Sequence, residues 1–180
     1  MQIIDNFLPT NVFLVFKQRL MGKDMTWKQG KVLHPDDPNV DEKCDELDNF
    51  QFEHVFYNVS PSFPEYNLRF SQFSDESFNY GLMSPLLEKL TIRSLVKIKA
   101  NLNPRTSEII EHGYHMDYPY ENCKTSIFYV NTNNGYTKFE DGTVVESVEN
   151  RLVTFDTMTK HTGSTCTDQK CRMVINLNYF

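Results

Sequence analysis

The chain of 180 residues has no long apolar run, no surplus of basic residues and few cysteines. Each shortage removes a class of protein. Its longest hydrophobic stretches are a handful of residues, where a membrane-spanning helix needs about 20. The opening MQIIDNFLPT carries Asp5 and lacks a basic n-region, so no secretory leader is expected and the cytoplasm is the expected location. None of the four cysteines (Cys44, Cys123, Cys166 and Cys171) stands in a C-x-x-C pair, which argues against a zinc site. Cys166 and Cys171 flank TDQK and could face each other across a hairpin, but a reducing cytoplasm disfavours a disulfide. The net charge is −6, and residues 35–49 (PDDPNVDEKCDELDN) account for all of it with seven acids and one lysine. The rest is neutral, so neither a broad nucleic-acid surface nor a membrane partner is expected. The acidic stretch reads as a solvated, mobile connector in preference to a lid over a substrate.

What the chain does contain is aromatic and β-rich. Fourteen Phe and nine Tyr, with 39% hydrophobic residues, suit one globular domain over 1–180. Residues 1–91 read as a support region of helices and strands. PTNVFLVFKQRLMG (9–22) puts Val12, Val15, Phe16 and Leu20 on a helical stripe, with Gly22 as a stop. TWKQGKVL and FQFEHVFYNV read as strands on either side of the acidic stretch. SPLLEKL (84–90) starts a short helix, with Ser84 as cap and Pro85 at the first helical position. From residue 92 the pattern becomes short strands with tight turns. In IRSLVKIKANL, Val96, Ile98, Ala100 and Leu102 alternate with Lys97, Lys99 and Asn101. TSIFYVN, YTKFE, TVVESV, RLVTFDT and CRMVINLNYF follow, separated by TNNG, DG and EN. Asn-Gly and Asp-Gly between alternating runs are strong hairpin signals. The fold class is therefore mainly β: a double-stranded β-helix (jelly roll) over 92–180 with N-terminal supporting helices.

HGYHMDYPY (112–120) holds an H-x-D triplet, His115 and Asp117. With five His and twelve Asp in the chain such a triplet arises readily by chance, and a second one stands at His34-Pro35-Asp36. Context separates them. Pro35 and the following PDDP place the second copy in a turn. On extended backbone residues i and i+2 point the same way, so His115 and Asp117 aim at one point, and His112, of opposite parity, should point elsewhere. His161, in TKHTGST, supplies a second histidine. Two histidines and a carboxylate form the facial set of non-haem Fe(II) oxygenases, a count that leaves coordination positions open. Arg172 opens the final strand on its more polar face, with Val174, Asn176 and Asn178 as parity mates. Its guanidinium suits a forked grip on a carboxylate, and pairing with a core acid is the structural alternative.

HMD, a histidine 46 residues on, and an arginine in the closing strand together resemble the Fe(II)/2-oxoglutarate-dependent oxygenases. The prolyl 4-hydroxylase-like branch, including short versions carried by marine bacteriophages, is the most similar. SIFYVN…NNGYTKFEDG, NRLVTFD, KHTGS and RMVINLNYF stand in that branch's order, so the resemblance covers about residues 92–180. It implies that His115, Asp117 and His161 bind Fe(II) and that Arg172 grips the distal carboxylate of 2-oxoglutarate. It implies the same carboxylate as partner for Tyr129, and a cosubstrate contact for Asn101 and Asn103, where the branch more often has a tyrosine. O2 as second cosubstrate and ascorbate as reductant follow, with hydroxylation of a small molecule or a peptide, such as a prolyl residue, and release of succinate and CO2. Asp117 sets a halogenase aside, and Asn178, six positions after Arg172, sets aside the alkylated-base demethylases, which carry a second arginine there. The alternative of another class is a non-catalytic jelly-roll module that keeps a metal for stability.

Overall fold

The computed structural model describes residues 1–33, 49–63, 68–73 and 81–180. The closing strand organises these residues. Strand β11 (Cys171–Tyr179) lies between β5 (Leu95–Pro104) and β6 (Lys124–Tyr129), antiparallel to both. Outward from β6 come β9 (Arg151–Asp156) and β1 (Gln2–Ile4). Outward from β5 come β3 (Gln51–Phe63) and β2 (Lys28–Gly30), with β4 (Leu68–Phe73) also paired to β3. This makes an eight-stranded sheet. A second sheet, β10 (His161–Gly163), β7 (Tyr136–Phe139) and β8 (Val144–Glu146), stands opposite. Single bridges from Glu111 to Ser164 and from His115 to His161 add the segment before β6 to its β10 edge. The protein is a jelly roll, as its alternating pattern suggests.

Period two on β11 explains the layering. Met173, Ile175, Leu177 and Tyr179 point to one face, where they join Ile98, Ala100 and Phe128 in the larger core. Val174 points to the other, between the sheets, with Ile127, Tyr129 and Val153 of the large sheet and Phe139 and Val145 of the small one. Helix α1 (Thr10–Leu20) covers the outer face of the large sheet. Phe13 and Phe16 pack edge-on against Phe128, and Leu20 is fully buried. Its buried stripe is thus Phe13, Phe16 and Leu20, with Val12 partly buried beside them, whereas Val15 is 60% exposed. The rings around Phe128 fix the rotation of the helix, which turns Val15 to the solvent. Helix α2 (Ser84–Lys89) follows a 3-10 turn, Gly81–Met83. Ser84 is its first residue, not its cap, and the hydroxyl donates back to Gly81 O at 2.9 Å.

The turns divide by sheet. Asp141-Gly142 closes the β7–β8 hairpin: Gly142 takes φ +87°, and Asp141 Oδ1 accepts from Thr143 N at 2.9 Å. Asn-Gly at 134–135 closes no hairpin, because β6 and β7 belong to different sheets. The chain crosses between them there, tied by Asn131, which bonds Cys171 O and Met173 N on β11. Glu149-Asn150 makes the return crossing, with Asn150 at φ +61° and its side chain on the backbone of Leu8. The N-terminal half supplies strands to the same sheet, since β3 pairs with β5 from Phe52 to Asn58. Residues 35–48 and the His34-Pro35-Asp36 triplet lie outside the described residues. Cys123, Cys166 and Cys171 are free thiols. Among the described residues no helix is long and apolar enough to cross a membrane.

Candidate metal centre

The mouth of the space between the sheets collects the polar residues. A cavity of about 210 Å³ opens there, walled by β5, β11, β10 and the 111–118 segment. His115 and His161 face each other across an antiparallel bridge, each N–H donating to the other's carbonyl at 3.0 Å. Reciprocal bonding of this kind puts the two side chains on one side of the ribbon, and the ring centroids are 4.6 Å apart. Two residues on, Asp117 N bonds Thr157 O and the carboxylate returns to the same point.

For His161 and Asp117 the donor atom is selected by what its neighbour atom does. His161 Nδ1 donates to Thr159 O at 3.0 Å, leaving the Nε2 lone pair in the cavity. Asp117 Oδ2 accepts from Thr125 Oγ1 at 2.7 Å and Asn178 Nδ2 at 2.9 Å, which leaves Oδ1 uncommitted. Oδ1 lies 3.7 Å from His115 Nε2 and 3.9 Å from His161 Nε2. Donors about 2.1 Å from one metal at right angles stand about 3.0 Å apart, so binding an ion would draw these donors together by about 1 Å. The three donors lie within 4.8 Å of one another. Phe139 and Phe155 back the His161 ring, Phe155 edge-on at 4.8 Å, and keep that side dry.

Electrostatics favours the metal-ready state. Burial, with repulsion from His161, lowers the His115 pKa to about 4, so its imidazole is neutral at pH 7. For Asp117, burial pushes the carboxyl up, but the two imidazoles and the bonds from Thr125 and Asn178 together hold it below the usual range. A neutral imidazole and a carboxylate need shed no proton to bind a cation.

Arg172 lies deeper in the same cavity and is 3% exposed. Nε donates to Ser147 Oγ at 2.8 Å and Nη2 to Thr137 Oγ1 at 3.1 Å. Among the described residues no carboxylate pairs with it, so the core-acid alternative fails. Burial pulls its pKa below the usual arginine value. A buried, unpaired guanidinium facing a cavity is a site for an anion.

Tyr129 does not line the cavity. Its ring lies 5.7 Å from the guanidinium carbon, and its hydroxyl donates to Thr137 Oγ1 at 2.8 Å, so it reaches the cavity only through Thr137 and Arg172. Asn103 stands opposite Arg172 in the β5–β11 register and Asn101 opposite Val174. Both line the cavity, and Asn103 Nδ2 and Asn101 Oδ1 are buried without a partner among the described residues. His112 lines it too, against the expectation from parity. Gly113, at φ +93°, breaks the alternation between His112 and His115, and that glycine was the available signal. Thr125, Thr137 and Ser147 escaped the sequence reading because hydroxyls on strands are common and carry no spacing signature. Asn178 was noticed only for not being arginine.

No family model matches the sequence, and no curated protein does. Solved structures do match. A prolyl-4-hydroxylase of Pseudomonas putida superposes with TM-score 0.59 at 12% identity, over 99% of this chain and 91% of that one. A prolyl hydroxylase from Trichoplax adhaerens, in complex with a hypoxia inducible factor oxygen degradation domain peptide fragment, gives 0.55 at 17% identity, over 99% and 82%. A non-heme alpha ketoglutarate dependent epimerase from nogalamycin biosynthesis, seen with Fe3+ and alpha ketoglutarate, gives 0.57 at 11% identity, over 99% and 77%. At these identities the likeness is one of fold.

Proposed function

We propose that the protein is an iron(II)- and 2-oxoglutarate-dependent dioxygenase that hydroxylates an unactivated C–H bond and releases succinate and CO2. The observation that carries this reading is one cavity holding both a His115–Asp117–His161 donor set and a buried arginine with no counter-ion among the described residues. Two imidazoles and one carboxylate are a donor set that would suit Fe(II). Iron held there supplies O2 activation and the coupled oxidation of cosubstrate and substrate.

The chain's own residues do the rest. His115 Nε2, His161 Nε2 and Asp117 Oδ1 would hold the metal, while Thr125 and Asn178 occupy Asp117 Oδ2. Arg172 binds the distal carboxylate of 2-oxoglutarate, oriented by Ser147 and Thr137, with Tyr129 supporting the pair from behind. Asn101 and Asn103 offer unpartnered amide atoms to the same molecule. Ile127 and Val174 line the cavity between the metal donors and Arg172 and limit water there. Ascorbate would serve as reductant. The substrate is a small molecule or a peptide; the peptide-bound prolyl hydroxylase of the same fold supports the latter, with a prolyl residue as first choice.

The test is mass spectrometry of cell-extract fractions incubated with the Fe(II)-loaded protein, 2-oxoglutarate and O2. A product heavier by one oxygen atom, absent with His161→Ala, supports the reading; unchanged extracts with every fraction would refute it.

A further inference from the structure

His112 is a buried titratable group that neither the metal set nor Arg172's bonds use. It is 2% exposed, lines the cavity, and Gly163 O anchors both its backbone N–H and its ring Nδ1 at 3.1 Å. A carbonyl oxygen can only accept, so Nδ1 carries a hydrogen. The other ring nitrogen, Nε2, is buried without a partner among the described residues. In neutral imidazole Nε2 is an acceptor, yet 2-oxoglutarate offers only acceptors. A carboxylate bonds that nitrogen only when it carries a proton too.

We infer that His112 is a second carboxylate-binding residue beside Arg172, and that at mildly acidic pH it takes up a proton from solvent when 2-oxoglutarate binds. The inference rests on the cosubstrate reading above. In the free protein burial, and after it the charge on Arg172, lowers the His112 pKa to about 4, so the ring is neutral at physiological pH. A carboxylate placed against Arg172 cancels the charge that repels the proton and gives Nε2–H an acceptor. No bond beyond N–H forms, and the buffer supplies the proton. The other charged or titratable side chains on the wall are Lys97 and Lys99 on β5, Tyr118, and the three metal donors. Lys99 is paired with Glu53 at 3.1 Å. The metal donors are tied up once iron is bound.

Calorimetric titration of 2-oxoglutarate into the anaerobic Fe(II)-loaded protein, in buffers of different ionisation heat, counts the protons. If the complex restores His112 to an ordinary value near 6.5, uptake is about 0.9 proton at about pH 5.5 and close to none at about pH 8. Affinity is then roughly tenfold higher at the lower pH. His112→Gln should abolish the proton uptake and the rise in affinity between about pH 8 and about pH 5.5. His112→Asn repeats the test if the glutamine variant misfolds, and the wild-type buffer series stands without either. Wild-type heats independent of buffer at about pH 5.5, or uptake that survives in His112→Gln, would overturn the inference. If iron binds but 2-oxoglutarate gives no heat at any pH, the cosubstrate reading falls and takes this one with it.

Discussion

Replacing Arg172 by alanine separates two costs that the wild-type site combines. The guanidinium is buried with Nε on Ser147, Nη2 on Thr137 and no counter-ion among the described residues. Without cosubstrate it is a desolvated charge compensated by two hydroxyls, a net burden on the fold. With the carboxylate bound, a forked contact of two charge-assisted bonds contributes about 1.5–3 kcal/mol each. Losing it should cost about 3–5 kcal/mol, or roughly two to three and a half decades of affinity. Calorimetry on the anaerobic Fe(II)-loaded protein measures that loss, and urea unfolding of the metal-free protein should show Arg172→Ala no less stable than wild type by more than about 1 kcal/mol. Arg172→Lys should fall between, keeping charge without the fork. Iron binding should persist in both variants. If Arg172→Ala bound 2-oxoglutarate within a factor of about three of wild type, the anion site would not be where the structure puts it.

Four other changes probe the neighbouring parts. His115→Ala, Asp117→Ala and His161→Ala should each abolish Fe(II) retention, measured by metal analysis after desalting, with the circular dichroism of the sheet unchanged. Asn178→Ala or Thr125→Val frees Asp117 Oδ2 and should weaken Fe(II) binding about 10–100-fold, read by competition with a chelator, while the wild-type 2-oxoglutarate affinity returns at saturating iron. Gly135→Ala places a Cβ 2.6 Å from Thr165 O and 2.7 Å from Arg172 Cδ; it should cost about 1–3 kcal/mol in urea unfolding and loosen the cosubstrate site. Metal-free protein should lose stability as pH falls from about 6.5 to about 4, because His112 and His115 have folded values near 4 and the unfolded chain binds their protons first. Stability is complete above that window. The slope is about 1.4 kcal/mol per pH unit for each histidine, and urea midpoints across the range should show it halved in His112→Gln.

The jelly roll was legible because its signal is local: period two on β5 and β11 carries the same information in sequence and in space. Parity also singled out the His115–Asp117 pair and the inward face of Arg172, whereas His161 was picked out by its residue type and its place in KHTGS. Legibility ended where parity did. Gly113 turned His112 into the cavity, and Asn134-Gly135 proved a crossing between sheets, since a two-residue turn signal does not say which strands it joins. The rotation of α1 depended on Phe128, more than a hundred positions away in sequence, so Val15 was misplaced. Thr125, Thr137, Ser147 and Asn178 acquire their roles only from what stands across the cavity, and no spacing rule reports that.

The most direct test of the central claim is whether the protein consumes 2-oxoglutarate. Purified wild-type protein given Fe(II), O2, ascorbate and 2-oxoglutarate, with fractionated cell extract as a source of substrate, should accumulate succinate measured by NMR. His161→Ala under the same conditions should leave the 2-oxoglutarate untouched. A folded wild-type protein that keeps its iron but forms no succinate with any fraction would contradict the account and mark the fold as a metal-holding module without catalysis.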